Sequence, residues 1–226
     1  AKLDLPLGIP VAVGCLDCHS GAVGGGVRAG VLVKVVGTSS CDLVVASYEA
    51  MGDRVVEGIF GQGDGSIIPG MWGLEAGQSA FGDAYAWFKD VLSWPLGILE
   101  NELGLSADRR AQMESAIFHR LTEEALQIGE AQMNVLALDW LNGRRTPWTD
   151  PDLKGAFLGL TLGSDAPRLF KAMVEATTFG SRAIIEQFKK YDVPIDEVIA
   201  LGGIPDKNPL VLQVMADVLD RPVKTV

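Results

Sequence analysis

Short apolar runs separated by glycine predict strands in the first part of the chain. One run covers residues 11–14, and a third covers residues 43–46. Between them, Val31, Val33 and Val35 alternate with other residues, which is typical of a strand with two distinct faces. Clusters of glycine fall between these runs, where the chain must turn. We therefore expect the domain to begin with strands.

The middle of the chain changes from strand spacing to helical spacing. Gly63-Asp64-Gly65 lies between two apolar runs and predicts a hairpin turn. Beyond it, residues 78–92 and 107–128 carry apolar residues every three or four positions, with a Pro/Gly break at 95–97. The polar, proline-containing stretch 141–154 predicts a long loop.

The last third predicts a helix, a strand, a second helix and a final strand. Asp165-Ala166-Pro167 has the acidic cap and early proline of a helix start. A buried-type strand at 197–200 ends at Gly202-Gly203, and a helix at 209–219 precedes a strand at 223–226. The residues expected on the apolar side of the first helix are Leu169, Phe170, Met173, Val174, Ile184, Ile185 and Phe188. This order of elements predicts a mixed α/β domain.

Composition and charge narrow the functions that this domain can have. The 226 residues are 48% hydrophobic and 21% charged, which is ordinary for a globular protein, and the formal net charge is −10. A strongly acidic protein is unsuited to nonspecific binding of nucleic acid or an anionic membrane, although backbone amides can still bind a phosphate. The sequence contains no apolar stretch long enough to span a bilayer and no signal-peptide pattern at residues 1–10. The three cysteines cannot all pair within the chain, which indicates a reducing compartment, the cytoplasm.

The most conspicuous local motif is Cys15-Leu16-Asp17-Cys18-His19. Its C-x-x-C-H pattern is that of covalent haem attachment, and its first four residues match half of a zinc site. Only Cys41 and His119 remain elsewhere to complete a set of zinc ligands. We interpret the cysteines as small packing side chains, with a haem or metal protein as the alternative.

Three further features could contribute to a nucleotide site. Asp17 follows the first predicted strand, where a carboxylate is either structural or catalytic. Gly37-Thr38-Ser39 follows the next strand and is either an ordinary Ser/Thr turn or a concave turn that holds phosphate. Gly202-Gly203 lies between a strand and a helix, which would let a nucleotide approach the backbone. No P-loop or G-x-G-x-x-G motif is present in the sequence.

In their order along the chain, these features resemble the FGGY carbohydrate kinases, which belong to the actin-like ATPase superfamily. The resemblance implies that Asp17 is the catalytic base. The family's sequence signature is similar to residues 155–160 followed by Leu169, Ala172 and Glu175. One departure within it is Arg168, where an acidic residue, an amide or histidine is usual. The residues implied to bind ATP and its phosphates are Gly37, Thr38, Ser39, Gly202, Gly203, Lys207 and Asn208.

Within the family, residues 65–73 and 75–79 resemble the ribulokinase branch. This resemblance implies that Glu75 binds sugar hydroxyls; the residues alone would favour a carboxylate in the first turn of a helix. The implied reaction is transfer of phosphate from ATP, with Mg²⁺, to the terminal 5-hydroxyl of L-ribulose or a related ketopentose, as in L-arabinose catabolism. No protein ligand for a metal is assigned. A xylulokinase-like enzyme and a noncatalytic actin-like nucleotide-binding module are the alternatives.

The resemblance also implies a domain organisation. Residues 1–226 would form the C-terminal domain with an actin-like ATPase (ribonuclease H-like) fold, a mixed sheet flanked by helices, and a helical insertion at about 75–140. The family's N-terminal sugar and phosphate domain and its final helix would lie outside this chain. The missing domain would then be a partner, the chain alone would be inactive, and a homodimer is left open.

Overall fold

Two neighbouring strands rich in valine form the centre of the main sheet. A computed structural model describes residues 8–10 and 14–226. Its six-stranded sheet has the order β3-β4-β2-β1-β7-β8, in which β2 is antiparallel to β1 and β4, and β7 is parallel to β1 and β8. The strands of this sheet are β1 (Gly30–Val36), β2 (Ser40–Ala46), β3 (Gly61–Asp64), β4 (Trp72–Gln78), β7 (Ile195–Leu201) and β8 (Val223–Thr225). The sheet is therefore mixed, as predicted.

Helices supply the remaining regular structure, together with a small second sheet. The helices are α1 (Asp17–Gly24), α2 (Tyr48–Met51), α3 (Gly82–Leu103), α4 (Ala107–Leu126), α5 (Ala166–Lys190), α6 (Gly203–Lys207) and α7 (Pro209–Leu219). The second sheet pairs β5 (Leu136–Leu138) with β6 (Ala156–Leu158) in antiparallel fashion. A 3₁₀ turn covers Glu130–Gln132.

The larger hydrophobic core lies between one face of the main sheet and α3, α5 and α7. Helix α5 begins at the predicted cap, because the Asp165 side chain accepts a hydrogen bond from the Arg168 backbone N–H. Of its predicted apolar side, Phe170, Met173, Val174, Ile184, Ile185 and Phe188 are buried, and Leu169 is partly buried against the core. A smaller cluster covers the opposite face, where Cys18 and Ala22 of α1 pack over β1, β2 and β7. Both faces of the central strands are thus covered.

Several sequence-based predictions of local structure are wrong. The chain from Asp17 to Gly24 is helical, although the region was expected to consist of strands. Its sequence contains glycine, serine and histidine, which are poor helix formers, so tertiary packing of the helix determines its conformation. The predicted strand at 11–14 lies mostly outside the described residues. The predicted turn at 63–65 begins inside β3, because Gly63 and Asp64 pair with β4 and the chain reverses beyond them.

The helical region also differs from its prediction. Helix α3 continues through Pro95, whose missing N–H removes the hydrogen bond to the Val91 carbonyl. Both residues are exposed, so water can satisfy that carbonyl. The predicted insertion at 75–140 begins inside β4, a strand of the main sheet. Its first helix buries Ala84, Tyr85 and Phe88 in the main core.

Candidate functional site

The predicted phosphate turn connects β1 to β2 and is held by the start of α3. The Thr38 carbonyl accepts hydrogen bonds from the backbone N–H groups of Phe81 (2.8 Å) and Asp83 (3.0 Å), and the Gly37 carbonyl accepts one from Gly82 (3.0 Å). A Cβ on Gly82 would lie 2.5 Å from the Gly37 carbonyl oxygen, so only glycine permits this close approach. Gly37 and Thr38 are exposed, which leaves the outer side of the turn open to a ligand.

Gly202 brings the end of β7 against the end of β1. Its φ is +112°, and a Cβ at this position would lie 2.2 Å from the Val36 carbonyl oxygen. A Cβ on the next residue, Gly203, would meet nothing within 4 Å in the described part of the chain. The Gly202-Gly203 turn and the Gly37–Ser39 turn therefore lie side by side at one edge of the sheet, with backbone open beside both.

The two other residues of the predicted adenosine segment lie in different environments. Lys207 is exposed at the end of α6, where its ammonium is free to reach a ligand. Asn208 is buried, and its side chain is committed to structure. Its Oδ1 accepts from the Val211 N–H (3.2 Å) as the cap of α7, and its Nδ2 donates to the Thr122 hydroxyl (3.2 Å). The predicted contact of Asn208 with the nucleotide therefore cannot use the side chain without breaking this cap.

We expect Asn208→Ala to destabilise the chain by about 1–3 kcal/mol, because α7 loses its cap and the link to α4. Urea unfolding measures this change. Asn208→Asp is the matched control, since it keeps the capping oxygen for Val211 but replaces the donor to Thr122 with a charged carboxylate oxygen. If Asn208→Ala instead raised the KM for ATP and left the free energy of unfolding unchanged, the side chain would contact the nucleotide.

Asp17 is the first residue of α1 and is exposed, and the strand predicted before it lies mostly outside the described residues. Its Oδ1 accepts a hydrogen bond from the Cys18 backbone N–H at 2.8 Å. Helix α1 packs on the face of the sheet that includes Val35 of β1 and Leu201 of β7. Asp17 is thus carried by a helix that rests on the same two strands whose ends hold the Gly37 and Gly202 turns.

Glu75 lies in the middle of β4, so it is not in the first turn of a helix. Its Oε2 is 3.0 Å from Nε2 of His19, and Nδ1 of the same ring is 3.0 Å from the Ser66 carbonyl oxygen. The ring of His19 therefore bridges the Ser66 carbonyl and the Glu75 carboxylate. His19 therefore orients Glu75 from α1. The sequence placed His19 only in the haem-like pattern and gave no sign of this pairing.

The C-x-x-C-H motif is divided in the folded chain. Cys15 is exposed beside the Ser20 hydroxyl, whereas Cys18 is buried and lies next to Cys41 of β2. Burial raises the pKa of Cys41 to about 12 and also raises the pKa of Cys18. Both groups are therefore neutral thiols at physiological pH, which is unsuited to a nucleophile. His119 is distant from this group, on exposed α4, where it pairs with Glu123.

A buried ion pair that the sequence analysis missed lies behind the Gly37–Ser39 turn. Lys34 and Asp42 are cross-strand partners in the β1–β2 hairpin and are 1% and 0% exposed. The Lys34 ammonium is 3.0 Å from both carboxylate oxygens of Asp42, and it also donates to Ser40 and Gln78 (3.2 Å each). The pair anchors both strands that lead into the turn.

The network extends from Gln78 to α5 and to the loop after β5. The Gln78 side-chain amide donates to Asp139 and to the Thr177 carbonyl, both at 2.8 Å, and the Ser181 hydroxyl donates to its Oε1. Burial raises the pKa of the Asp139 carboxyl, while the hydrogen bond from Gln78 opposes that change. Asp139 and Gln78 both line a cavity of about 230 Å³ at this end of the sheet.

Solved structures share the architecture of this domain. The xylulose kinase from Rhodospirillum rubrum superimposes with a TM-score of 0.74 and 21% identity over 98% of this chain and 40% of its own. A Plasmodium falciparum glycerol kinase with ADP gives a TM-score of 0.64 and 16% identity, over 92% of this chain and 38% of its own. The expected fold class is confirmed.

Sequence comparison identifies the family. Residues 32–226 match the C-terminal domain of the FGGY family of carbohydrate kinases, and the chain belongs to that family. It is 48% identical over 222 residues to a ribulokinase of Vibrio parahaemolyticus and 39% identical over 225 residues to one of Halalkalibacterium halodurans. The matches cover 98% and 99% of this chain but only 39% and 38% of those relatives. No helix among the described residues is both long enough and apolar enough to cross a membrane.

Proposed function

We propose that this chain is the ATP-binding and catalytic-base half of a ribulokinase that phosphorylates the terminal hydroxyl of L-ribulose or a related ketopentose. The observation that carries the proposal is that the two predicted glycine turns lie side by side and that the helix carrying Asp17 packs on the sheet face beside them. The Gly37–Ser39 turn ends β1, Gly202-Gly203 ends β7, and α1 presents Asp17 from the face beside them. Similarity to ribulokinases over nearly the whole chain supports the choice of sugar.

The residues take simple roles in this proposal. Asp17 accepts the proton of the sugar hydroxyl as that oxygen attacks phosphorus, and its exposed carboxylate is free to do so. Glu75, oriented by His19, accepts hydrogen bonds from other sugar hydroxyls. The protein needs to do little covalent chemistry beyond this proton transfer. Its main task is to position the reactants, because phosphoryl transfer depends mainly on alignment and charge stabilisation.

ATP fits the open backbone at the two turns. Amides and hydroxyls of Gly37, Thr38 and Ser39 would hold phosphate oxygens, and Gly203 and Lys207 would border the adenosine. ATP supplies the phosphoryl group, and Mg²⁺ would neutralise the charge that develops on it. The rest of the sugar pocket is assigned to the portion of the kinase that this chain does not include. The free thiols fit a cytoplasmic enzyme.

The test is a substrate panel with the whole kinase, scored by ADP release with L-ribulose, D-ribulose, D-xylulose and glycerol. We expect the highest kcat/KM with L-ribulose. A preference for D-xylulose would overturn the ribulokinase assignment, and ADP release with none of the four would overturn the kinase itself. The chain of 226 residues alone should bind ATP weakly and show no sugar-dependent ADP release, because half of the site is missing. Robust turnover by this chain alone would contradict the half-site proposal.

A further inference from the structure

Three side chains with metal-binding atoms meet on the α1 side of the sheet. Cys18 comes from α1, Cys41 from β2 and Glu75 from β4. The two sulfur atoms and a carboxylate oxygen of Glu75 lie within 4.8 Å of one another. Cys18 is only 8% exposed, and the Glu75 side chain is 15% exposed. These atoms converge from three elements far apart in sequence, so the cluster is a product of the fold and not of the C-x-x-C-H motif.

The sheet register explains why Cys41 and Glu75 are close. Cys41 is paired with Gly77 and Leu43 with Glu75, so Cys41 and Glu75 are diagonal neighbours on one face of the β2–β4 pair. The residue directly opposite Cys41 is Gly77, where a Cβ would lie 2.1 Å from the Ser40 carbonyl oxygen, so glycine lets the two strands approach closely here. Helix α1 lies over this face and supplies Cys18 from the third side.

We propose that Cys18, Cys41 and Glu75 form a binding site for a thiophilic divalent cation, for which Zn²⁺ is the matching ion. Thiolate and carboxylate groups are ordinary zinc ligands, and Zn²⁺ would displace the protons of the two neutral thiols to solvent as it binds. Tetrahedral coordination with Zn–S bonds of about 2.3 Å places two sulfurs about 3.8 Å apart. The ligand atoms all lie within 4.8 Å of one another, so binding would require each pair to move closer by no more than about 1 Å. The fourth position would be taken by water.

The ion proposed here is distinct from the Mg²⁺ expected with ATP. Magnesium prefers an octahedron of oxygen ligands, which two cysteines cannot provide. A zinc ion at this site would engage Glu75, the residue to which the proposed function assigns the sugar hydroxyls. This inference rests on the proposed function: Zn²⁺ bound at the site would inhibit the kinase by competing with the sugar and not with ATP.

Binding is tested with Zn²⁺ alone on the reduced chain, in competition with a chromophoric chelator. We expect one Zn²⁺ per chain and at least about tenfold weaker binding in Cys18→Ser and in Cys41→Ser. Cys15→Ser is the matched control, since Cys15 belongs to the C-x-x-C-H motif but not to the cluster. The Zn²⁺ affinity of this variant should equal that of the unsubstituted chain. Co²⁺ should give sulfur-to-metal absorption in the unsubstituted chain and in Cys15→Ser, and weaker absorption in the other two variants.

Two results would overturn the site. One is the absence of stoichiometric Zn²⁺ binding by the unsubstituted chain. The other is binding that depends on Cys15 and survives Cys41→Ser, which would assign it to the C-x-x-C-H motif. If loss of Cys18 prevents folding, as judged by circular dichroism, Cys41→Ser and Glu75→Gln decide the question.

A second measurement separates this site from the proposed function. In the whole kinase, Zn²⁺ should raise the KM for L-ribulose, and Cys41→Ser should relieve this effect. Zinc binding by a protein without kinase activity would support the metal site and contradict the proposed kinase function. Activity that Zn²⁺ does not alter, despite binding, would overturn the proposed competition with sugar.

Discussion

Asp17→Asn in the whole kinase is expected to lower kcat by about 10²–10⁴-fold, the usual contribution of a general base. Asparagine keeps the size and shape of the side chain but cannot accept the proton of the attacking hydroxyl. The KM for ATP should change little, because the phosphates are assigned to the Gly37–Ser39 turn and to Gly202-Gly203. Steady-state kinetics with saturating sugar measures both constants.

Thr38→Val supplies the contrast, since it removes a hydroxyl from the proposed phosphate turn and leaves Asp17 intact. We expect it to raise the KM for ATP more than it lowers kcat. A near-normal kcat in Asp17→Asn, accompanied only by lower stability, would make Asp17 a structural residue. Glu75 would then be the next candidate for the base.

Lys34→Met is expected to destabilise the chain by about 3–5 kcal/mol, the cost of leaving one member of a buried ion pair without its partner. Asp42 is fully buried, and methionine would leave its carboxylate facing Ser40 and Gln78 without a cation. The free energy of unfolding in urea measures the effect. The loss should be large because water cannot reach the carboxylate.

Two further variants test this explanation. Lys34→Met combined with Asp42→Leu should recover much of the lost stability, because an apolar pair of similar volume requires no charge compensation. Lys189→Met removes an exposed lysine paired with Glu186 and should change stability by no more than about 1 kcal/mol. Equal losses from Lys34→Met and Lys189→Met would show that the buried charge is not the cause.

The elements that were predicted correctly have strong local signals. Strands β1, β2 and β7 are rich in valine and isoleucine, α5 has an acidic cap and a regular apolar side, and α7 begins with proline. The elements that were missed lack such signals. Helix α1 and strand β3 are rich in glycine and polar residues, and β5 and β6 have three residues each. Their conformations come from tertiary contacts, which the sequence pattern does not reveal.

The sequence allowed the residues of the candidate site to be identified, but it did not reveal which of them contact one another in the folded chain. Asp17 and the two glycine turns were singled out from the sequence pattern, and the family resemblance added Glu75 and suggested a role for each. Whether each of them acts as proposed is left to the experiments above. The pairing of His19 with Glu75 joins α1 to β4 and could not be derived from spacing. Lys34 and Asp42 could have been found, because they are equidistant from Thr38 and carry opposite charges, as cross-strand partners in a hairpin often do.

The attachment of the β1–β2 turn to α3 has an electrostatic consequence for an acidic protein. The positive end of the dipole of a 22-residue helix points at the Gly37 and Thr38 carbonyl oxygens through three N–H groups. A carbonyl that accepts such bonds polarises the N–H of its own peptide unit, here those of Thr38 and Ser39. These two amides therefore become stronger donors on the outer side of the turn. A chain with net charge −10 can in this way present a locally positive backbone to an anion.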